Sequence, residues 1–214
     1  MKGIKDSIKN IRIKWLNYIR KLRFGKKWSK QIRHKNVSII SQNCIGGVIS
    51  HDCGLRFNSP TINMWIPAHE FITLVSNLQE ELEGKLENIT NRASYPIGLL
   101  NGKIHIHFIH YHSFDEVVDK WNSRLSRVNY EDLRIVMTEN DGCTYKDLVA
   151  FDKLPFKHKV VFTHKRYPEI KSSFYIPGFE EMGRVAFVMG WKGLGGKRNC
   201  DSFNWVRFLN GETE

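Results

Sequence analysis

A thiol that leaves the end of a short strand and is followed by two glycines is the arrangement of Ser41-Gln42-Asn43-Cys44-Ile45-Gly46-Gly47. The preceding Val37-Ser38-Ile39-Ile40 is β-branched and reads as a buried strand. The glycines permit positive φ and close approach of another backbone. A helix starting there would aim free N–H groups at the thiol, which lowers a cysteine pKa and stabilises an oxyanion. The competing reading is a buried cysteine in a tight turn, because free cysteines are among the most buried residues.

Two further groups could complete a nucleophile, a base and an orienting acid with Cys44. His110 follows the apolar alternation of Ile104, Ile106 and Phe108 and precedes a capped helix. Strand ends of this kind are a common address for catalytic groups in α/β sheets. Asp141 sits in the turn after the strand Leu133–Thr138. The plainer readings are a hydrogen-bonded core histidine and an aspartate doing turn chemistry. His105, His107, His110 and His112 crowd together, but no third ligand and no HExxH spacing accompanies them, so no metal site is expected. Gly193-Leu194-Gly195-Gly196-Lys197-Arg198 suggests a phosphate cradle without the GxxxxGK[ST] pattern; a basic surface loop is the alternative. Lys197 and Arg198, with Arg124 and Arg127, are the cations that could hold phosphates. A solvated helix end is the other reading of the last two. No cofactor is identifiable.

The elements that must position these groups alternate between strand and helix. Val37–Ile40, Leu133–Thr138, Lys159–Thr163 and Phe174–Ile176 read as strands, and Met64–Ile66 as a short one. Asn101-Gly102 between Ile97–Leu100 and Lys103–Phe108 marks a hairpin with a type I′ turn. Pro67 opens a helix with Phe71, Leu74, Val75, Leu78 and Leu82 on its buried side, ending near Gly84. Ser113 with Glu116, and Thr144 with Asp147, cap two more helices, and a further helix is expected over Glu180–Met189. The fold class is therefore α/β: a three-layer α/β/α arrangement with a mainly parallel sheet plus an antiparallel hairpin.

The net charge of +11 belongs to the N-terminus. Residues 1–35 hold 13 Lys/Arg against Asp6 alone, leaving 20 basic and 21 acidic side chains in the other 179 residues. The chain divides into a basic amphipathic arm, 1–35, and a single α/β domain, 36–214. In the arm Ile4, Ile8, Ile11, Trp15, Ile19 and Leu22 recur at helical steps, with Lys5, Lys9, Arg12, Arg20 and Arg23 around them. The stripe either docks on the domain or lies on an anionic membrane surface. Gly25-Lys26-Lys27 and the run to Lys35 read as a linker. Nucleic acid is not expected, since aromatics do not interleave with the cations and the domain adds no basic surplus. No stretch matches a transmembrane helix or a signal peptide, and Cys44, Cys53, Cys143 and Cys200 show neither a zinc nor a disulfide pattern. A cytoplasmic protein, peripheral at the inner face of the membrane, is the expectation.

Several segments in order and spacing resemble a bacterial family known as a domain of unknown function and often labelled an exopolysaccharide biosynthesis protein. They are Ile40–Gly47, Phe57-Asn58-Ser59-Pro60, Tyr95-Pro96-Ile97-Gly98 and Ile106-His107-Phe108-Ile109-His110-Tyr111. Trp121 with Arg124, Arg127 and Asn129 follows, then Asp141-Gly142-Cys143-Thr144, then Phe151–Phe156 before Lys159–Thr163. The resemblance implies a three-layer α/β fold and a transfer or decorating step on a surface-polysaccharide precursor, with a sugar or lipid-linked sugar as substrate. Acyl transfer is the preferred chemistry, with Cys44 as nucleophile, His110 as base and Asp141 orienting. Asn43, Gly46 and Gly47 would shape the oxyanion site, and Ser41, Asn58, Ser59 and His107 would line the substrate. Glycosyl or phosphosugar transfer, or a non-catalytic membrane-surface scaffold, are the alternatives. Ser50-His51-Asp52 and the basic arm are features the resemblance does not place.

Overall fold

The computed structural model describes residues 2–212, with side chains from Asn10 onward. Ile4, Lys5, Ile8 and Lys9 of the arm's stripe therefore lie outside the described side chains. Helix α1 (Lys2–Arg20) runs through one π-helical turn, Lys21–Gly25, into α2 (Lys26–Gln31). The chain then enters strand β1 (Ser38–Ser41) and helix α3 (Ile45–Asp52). After α4 (Ala68–Ser76) and α5 (Leu78–Leu82) come β2 (Leu86–Asn88), β3 (Ile97–Leu100) and β4 (Ile104–His107). Helix α6 (Phe114–Leu125) leads to β5 (Leu133–Thr138), α7 (Tyr145–Asp152), β6 (Lys159–Thr163) and β7 (Ser173–Tyr175). A short ribbon of β8 (Trp191–Lys192) and β9 (Lys197–Arg198) precedes the last helix, α8 (Trp205–Leu209).

β1, β5, β6 and β7 form one wholly parallel sheet in that order. Their continuous apolar runs follow from burial on both faces. Ile40, Ile135, Met137 and Val161 face a core with α4, α6, α7 and the hairpin. Ile39, Val136, Val160 and Phe162 face a second core with α3, Ile32 and the aromatic cluster of Phe203, Trp205 and Phe208. This is the expected three-layer architecture. The hairpin is also as expected, with Asn101 and Gly102 at φ 53° and 67°. It pairs with β2 in a separate antiparallel sheet rather than joining the parallel one.

Three local expectations within the domain change. Met64–Ile66 contributes only a single bridge, Trp65 to His107. The helix begun at Pro67 breaks at Asn77, so its buried stripe is shared between α4 and α5, short of Gly84. Glu180–Met189 is not a helix: one 3₁₀ turn, Glu180–Met182, stops at Gly183 with φ 63°. A left-handed residue there ends the helical hydrogen-bond run.

The linker expected after Gly25 is helical and docked. Leu16 is buried, Trp28 packs against the second core and Ile32 is buried in it. Arg20, only 1 % exposed, donates to Asp52 at 2.5 Å and to both carboxylate oxygens of Asp201 at 2.6 and 3.0 Å. These charge-assisted bonds fasten the arm to α3 and to the C-terminal region. Ile11, Trp15, Tyr18 and Leu22 stay exposed on the side turned away from the domain. Among the described residues no helix is long and apolar enough to cross a membrane.

Candidate functional site

In a parallel sheet the strand ends point their last residues into one shared edge, and here three carboxyl ends meet. β1 supplies Gln42, Asn43 and Cys44. β5 supplies Glu139 and Asp141, and β6 supplies His164. Asn43 Nδ2 donates to Thr138 Oγ1 at 3.1 Å, and the Thr138 N–H donates to Gln42 Oε1 at 2.9 Å, which ties the ends of β1 and β5 together. Gln42 Nε2 is buried and has no partner among the described residues.

Cys44 is half-buried at the start of α3, its thiol 3.6 Å from the Met64 carbonyl oxygen. Burial, opposed by its own backbone N–H and aided by the charge of Asp141, pushes its pKa up to about 11. The thiol is therefore neutral near pH 7. The helix start offsets little of this, because its first two amides are already engaged. Ile45 N–H donates to Asn43 Oδ1, and Gly46 N–H donates to Ser41 Oγ. The glycines serve packing: a Cβ on Gly46 would lie 2.5 Å from Ser41 Oγ, and one on Gly47 would lie 3.1 Å from Ile62 Cγ2.

Asp141 has φ 52° in the turn after β5, and its carbonyl accepts the Ala68 N–H at the start of α4. Burial raises its carboxyl pKa, with Arg184 opposing. Cys44 and Asp141 thus come together on one edge. His110 does not join them: it is exposed beyond β4, in the separate antiparallel sheet, and among the described residues it makes no hydrogen bond or ion pair.

The histidine that the parallel edge does hold is His164. Its backbone N–H and its Nδ1 both bond Glu139 Oε2, at 2.9 and 2.7 Å, and Tyr167 donates to Glu139 Oε1 at 2.7 Å. Both Glu139 and His164 are buried. A carboxylate accepts, so the bond assigns a proton to Nδ1, and in the neutral ring Nε2 then presents its lone pair. Burial, then the bond to Glu139, pushes the Tyr167 hydroxyl well above the ordinary tyrosine range. A carboxylate-oriented imidazole is equipped for proton transfer. Sequence reasoning passed over this pair although both members directly follow correctly read strands, β5 and β6.

The remaining expected site residues are distributed elsewhere. Asn58 and Ser59 are buried along the β1 edge, where Asn58 Nδ2 donates to Asn36 Oδ1 and Ser59 Oγ pairs with Thr61 Oγ1 at 2.8 Å. His107 stacks on Trp65 with ring centroids 3.9 Å apart. Arg124 is buried over the Phe57 ring and donates to the Tyr111 hydroxyl. Arg127 donates to the Phe57 carbonyl at the amino end of the sheet. Lys197 and Arg198 lie on the β8–β9 ribbon, Arg198 over the Trp191 ring at 3.8 Å. Among the described residues no contact joins these two cation pairs.

A three-layer α/β domain with a carboxylate–histidine pair at the carboxyl edge of a parallel sheet is the class of protein that this geometry defines. The chain belongs to the family described as Domain of unknown function (DUF1919), whose model matches residues 15–210. The match begins inside α1, so the docked half of the arm is part of the family's own domain. A relative from Haemophilus influenzae, described as an uncharacterized protein, is 40% identical over 181 residues, which span 85% of this chain and 87% of that one.

Proposed function

We propose that this protein is a transferase acting on a surface-polysaccharide precursor, in which His164 removes a proton from a sugar hydroxyl as that oxygen attacks the donor. The observation that carries the reading is the 2.7 Å bond from His164 Nδ1 to buried Glu139, which orients the ring and stabilises the imidazolium formed on proton uptake. Cys44 is given the role of a wall beside Asp141 rather than of a nucleophile, since a thiol at about 11 is a poor source of thiolate. Acyl transfer directly to the hydroxyl remains the preferred chemistry: the sugar oxygen forms the new ester bond, the thioester's acyl–sulfur bond breaks, and the departing thiolate takes the proton from the imidazolium. The unpaired Gln42 Nε2 supports a functional use of the same edge, because a buried donor without a partner carries a cost of about 1–3 kcal/mol. Partly exposed Trp65, next to the Met64 that Cys44 touches, offers an aromatic surface for a sugar.

The same reading places the protein at the inner face of the membrane. Ile11, Trp15, Tyr18 and Leu22 form an exposed apolar row with aromatic residues suited to an interface. Beside it lies a concavity of about 580 Å³ with Lys21, Lys26, Lys30 and His51 in its lining. Its carboxylate, Asp52, is held by Arg20, so the lysines remain to meet anionic headgroups.

The deciding experiment is a transfer assay on undecaprenyl- or nucleotide-linked sugars with acyl-thioester donors, comparing wild type with His164→Gln and Cys44→Ala. A loss of about 10²–10⁴-fold in His164→Gln with near-normal Cys44→Ala is expected. The reverse pattern would return the chemistry to the thiol, and equal activity in all three would remove the edge from the mechanism.

A further inference from the structure

At the opposite, amino end of the parallel sheet lies a polar concavity of about 410 Å³, within the roughly 300–1,000 Å³ of small-ligand sites. Its walls come from the segment before β1, the loop after α3 and the turn between α6 and β5, with Lys35, Arg56 and Arg127 as its charges and no carboxylate in its lining. The domain beyond the arm is close to neutral overall, so its Arg56 and Arg127, gathered beside the arm's Lys35 without a counter-charge, are a local feature and not a general one. Among the described residues Arg56 makes no hydrogen bond or ion pair, and Lys35 Nζ meets only the Ser29 carbonyl. Arg127 is held rigid by carbonyls, donating from Nε and Nη2 to Phe57 and from Nη1 to Ser123, and it pairs with no carboxylate. Burial, then the nearby charges of Arg56 and Arg124, depresses its pKa. An oxyanion would relieve that repulsion.

The rest of the wall is carboxamide. Asn58, nearly buried, spends Nδ2 on Asn36 Oδ1, and Asn129 spends its Nδ2 on the Asn36 carbonyl. Asn58 Oδ1 and Asn36 Nδ2 remain to bond hydroxyl groups. The volume is more than ten times the ~30 Å³ share of a liquid water, so an oxyanion alone would leave most of it to an attached polar group. We infer that this concavity is a binding site for a small phosphorylated polyol of the sugar-phosphate class, with Arg56, Arg127 and Lys35 on the phosphate and Asn36 and Asn58 on the hydroxyls. It lies at the end of the strands away from His164 and is a binding site only, separate from the transfer chemistry.

The test is isothermal titration of the full chain with glucose 1-phosphate, inorganic phosphate, UDP-glucose and glucose, repeated for Arg56→Gln, which breaks no described contact. Glucose 1-phosphate should bind more tightly than inorganic phosphate, glucose should not bind, and Arg56→Gln should weaken the phosphorylated ligand at least tenfold. Equal affinity for phosphate and glucose 1-phosphate would overturn the hydroxyl part of the assignment. UDP-glucose tighter than glucose 1-phosphate would replace the sugar phosphate by a nucleotide sugar. Unchanged binding in Arg56→Gln, or none in wild type, would overturn the site. Binding should persist in His164→Gln, so failure here leaves the proposed transfer reaction standing, and the converse holds.

Discussion

Glu139 Oε2 accepts two hydrogen bonds from one residue on the neighbouring strand, from the His164 backbone N–H at 2.9 Å and from its Nδ1 at 2.7 Å. The Glu139 N–H meanwhile continues the sheet by donating to the Phe162 carbonyl at 2.8 Å. Strand pairing therefore fixes the carboxylate against the imidazole, and Tyr167 takes the other oxygen. Glu139→Ala would leave the buried His164 donors and the half-buried Tyr167 hydroxyl without their acceptor. A loss of about 3 kcal/mol in urea-unfolding stability is expected. Glu139→Ala should also abolish the slowly exchanging Nδ1 proton signal in the histidine region of the NMR spectrum, whereas Glu139→Gln, whose amide oxygen still accepts, should keep it. Retention of that signal in Glu139→Ala would show that Glu139 does not hold the ring.

Cys44 gives a prediction with a defined sign in pH. At pH 7.5 a thiol of pKa about 11 has roughly two orders of magnitude less thiolate than an unperturbed one, so alkylation of the native protein should be slower by about that factor. The rate should climb toward pH 11. Because the folded value is raised above 9.0, this thiol's contribution to stability is complete below pH 9 and is lost as pH rises through about 11. Cys44→Ser should flatten that part of the stability profile. Fast labelling at pH 7.5 would restore the case for an activated nucleophile.

The arm's anchor predicts a larger effect. Arg20→Met would strand the Asp201 carboxylate, whose side chain is fully buried, and free Asp52. Removing one partner of a buried ion pair costs about 3–5 kcal/mol, so the melting temperature should fall by several degrees. Limited proteolysis should then cut within residues 21–35, where wild type resists.

Gly46 tests the packing at the turn. Gly46→Ala places a methyl 2.5 Å from Ser41 Oγ, which cannot step aside without losing its bonds to the Gly46 N–H and the Asn43 carbonyl. A loss of about 1–3 kcal/mol is expected. Adding Ser41→Gly should recover part of it if that contact is the cause.

For the arm, co-sedimentation with vesicles containing phosphatidylglycerol should exceed that with phosphatidylcholine alone. It should weaken at high salt and drop at least tenfold in the Trp15→Glu, Tyr18→Glu pair. Both residues are exposed, so the fold should be unaffected. Equal binding to neutral and anionic vesicles would refute the electrostatic part.

Much of this was legible along the chain. The runs Leu133–Thr138 and Lys159–Thr163 are the observed strands, the Asn101-Gly102 turn makes the hairpin, and Thr144 with Asp147 forms the reciprocal cap. These are local: side-chain period, turn geometry and first-turn N–H groups are settled within a few residues. His110 and His164 show where locality ends. His164 follows β6 directly and His110 lies three residues past β4, and the strand-end rule favours both alike. It applies only in a parallel sheet; the Asn101-Gly102 turn states that β4 pairs antiparallel with β3, but no local residue states that this hairpin stays apart from the parallel sheet. Likewise the arm's periodicity revealed its apolar row but not that Leu16 and Arg20 would dock while Trp15 stayed exposed.

The sequence by itself determined the main strands and capped helices, the three-layer class and the turn at Cys44 that closes β1. Only the tertiary structure decided what that turn could do. It engaged the Gly46 N–H with Ser41, raised the thiol by burial beside Asp141, and brought Glu139 to His164 across two strands. Those outcomes depend on which strands become neighbours, a choice made by burying both faces of the sheet at once, which no short window of residues contains.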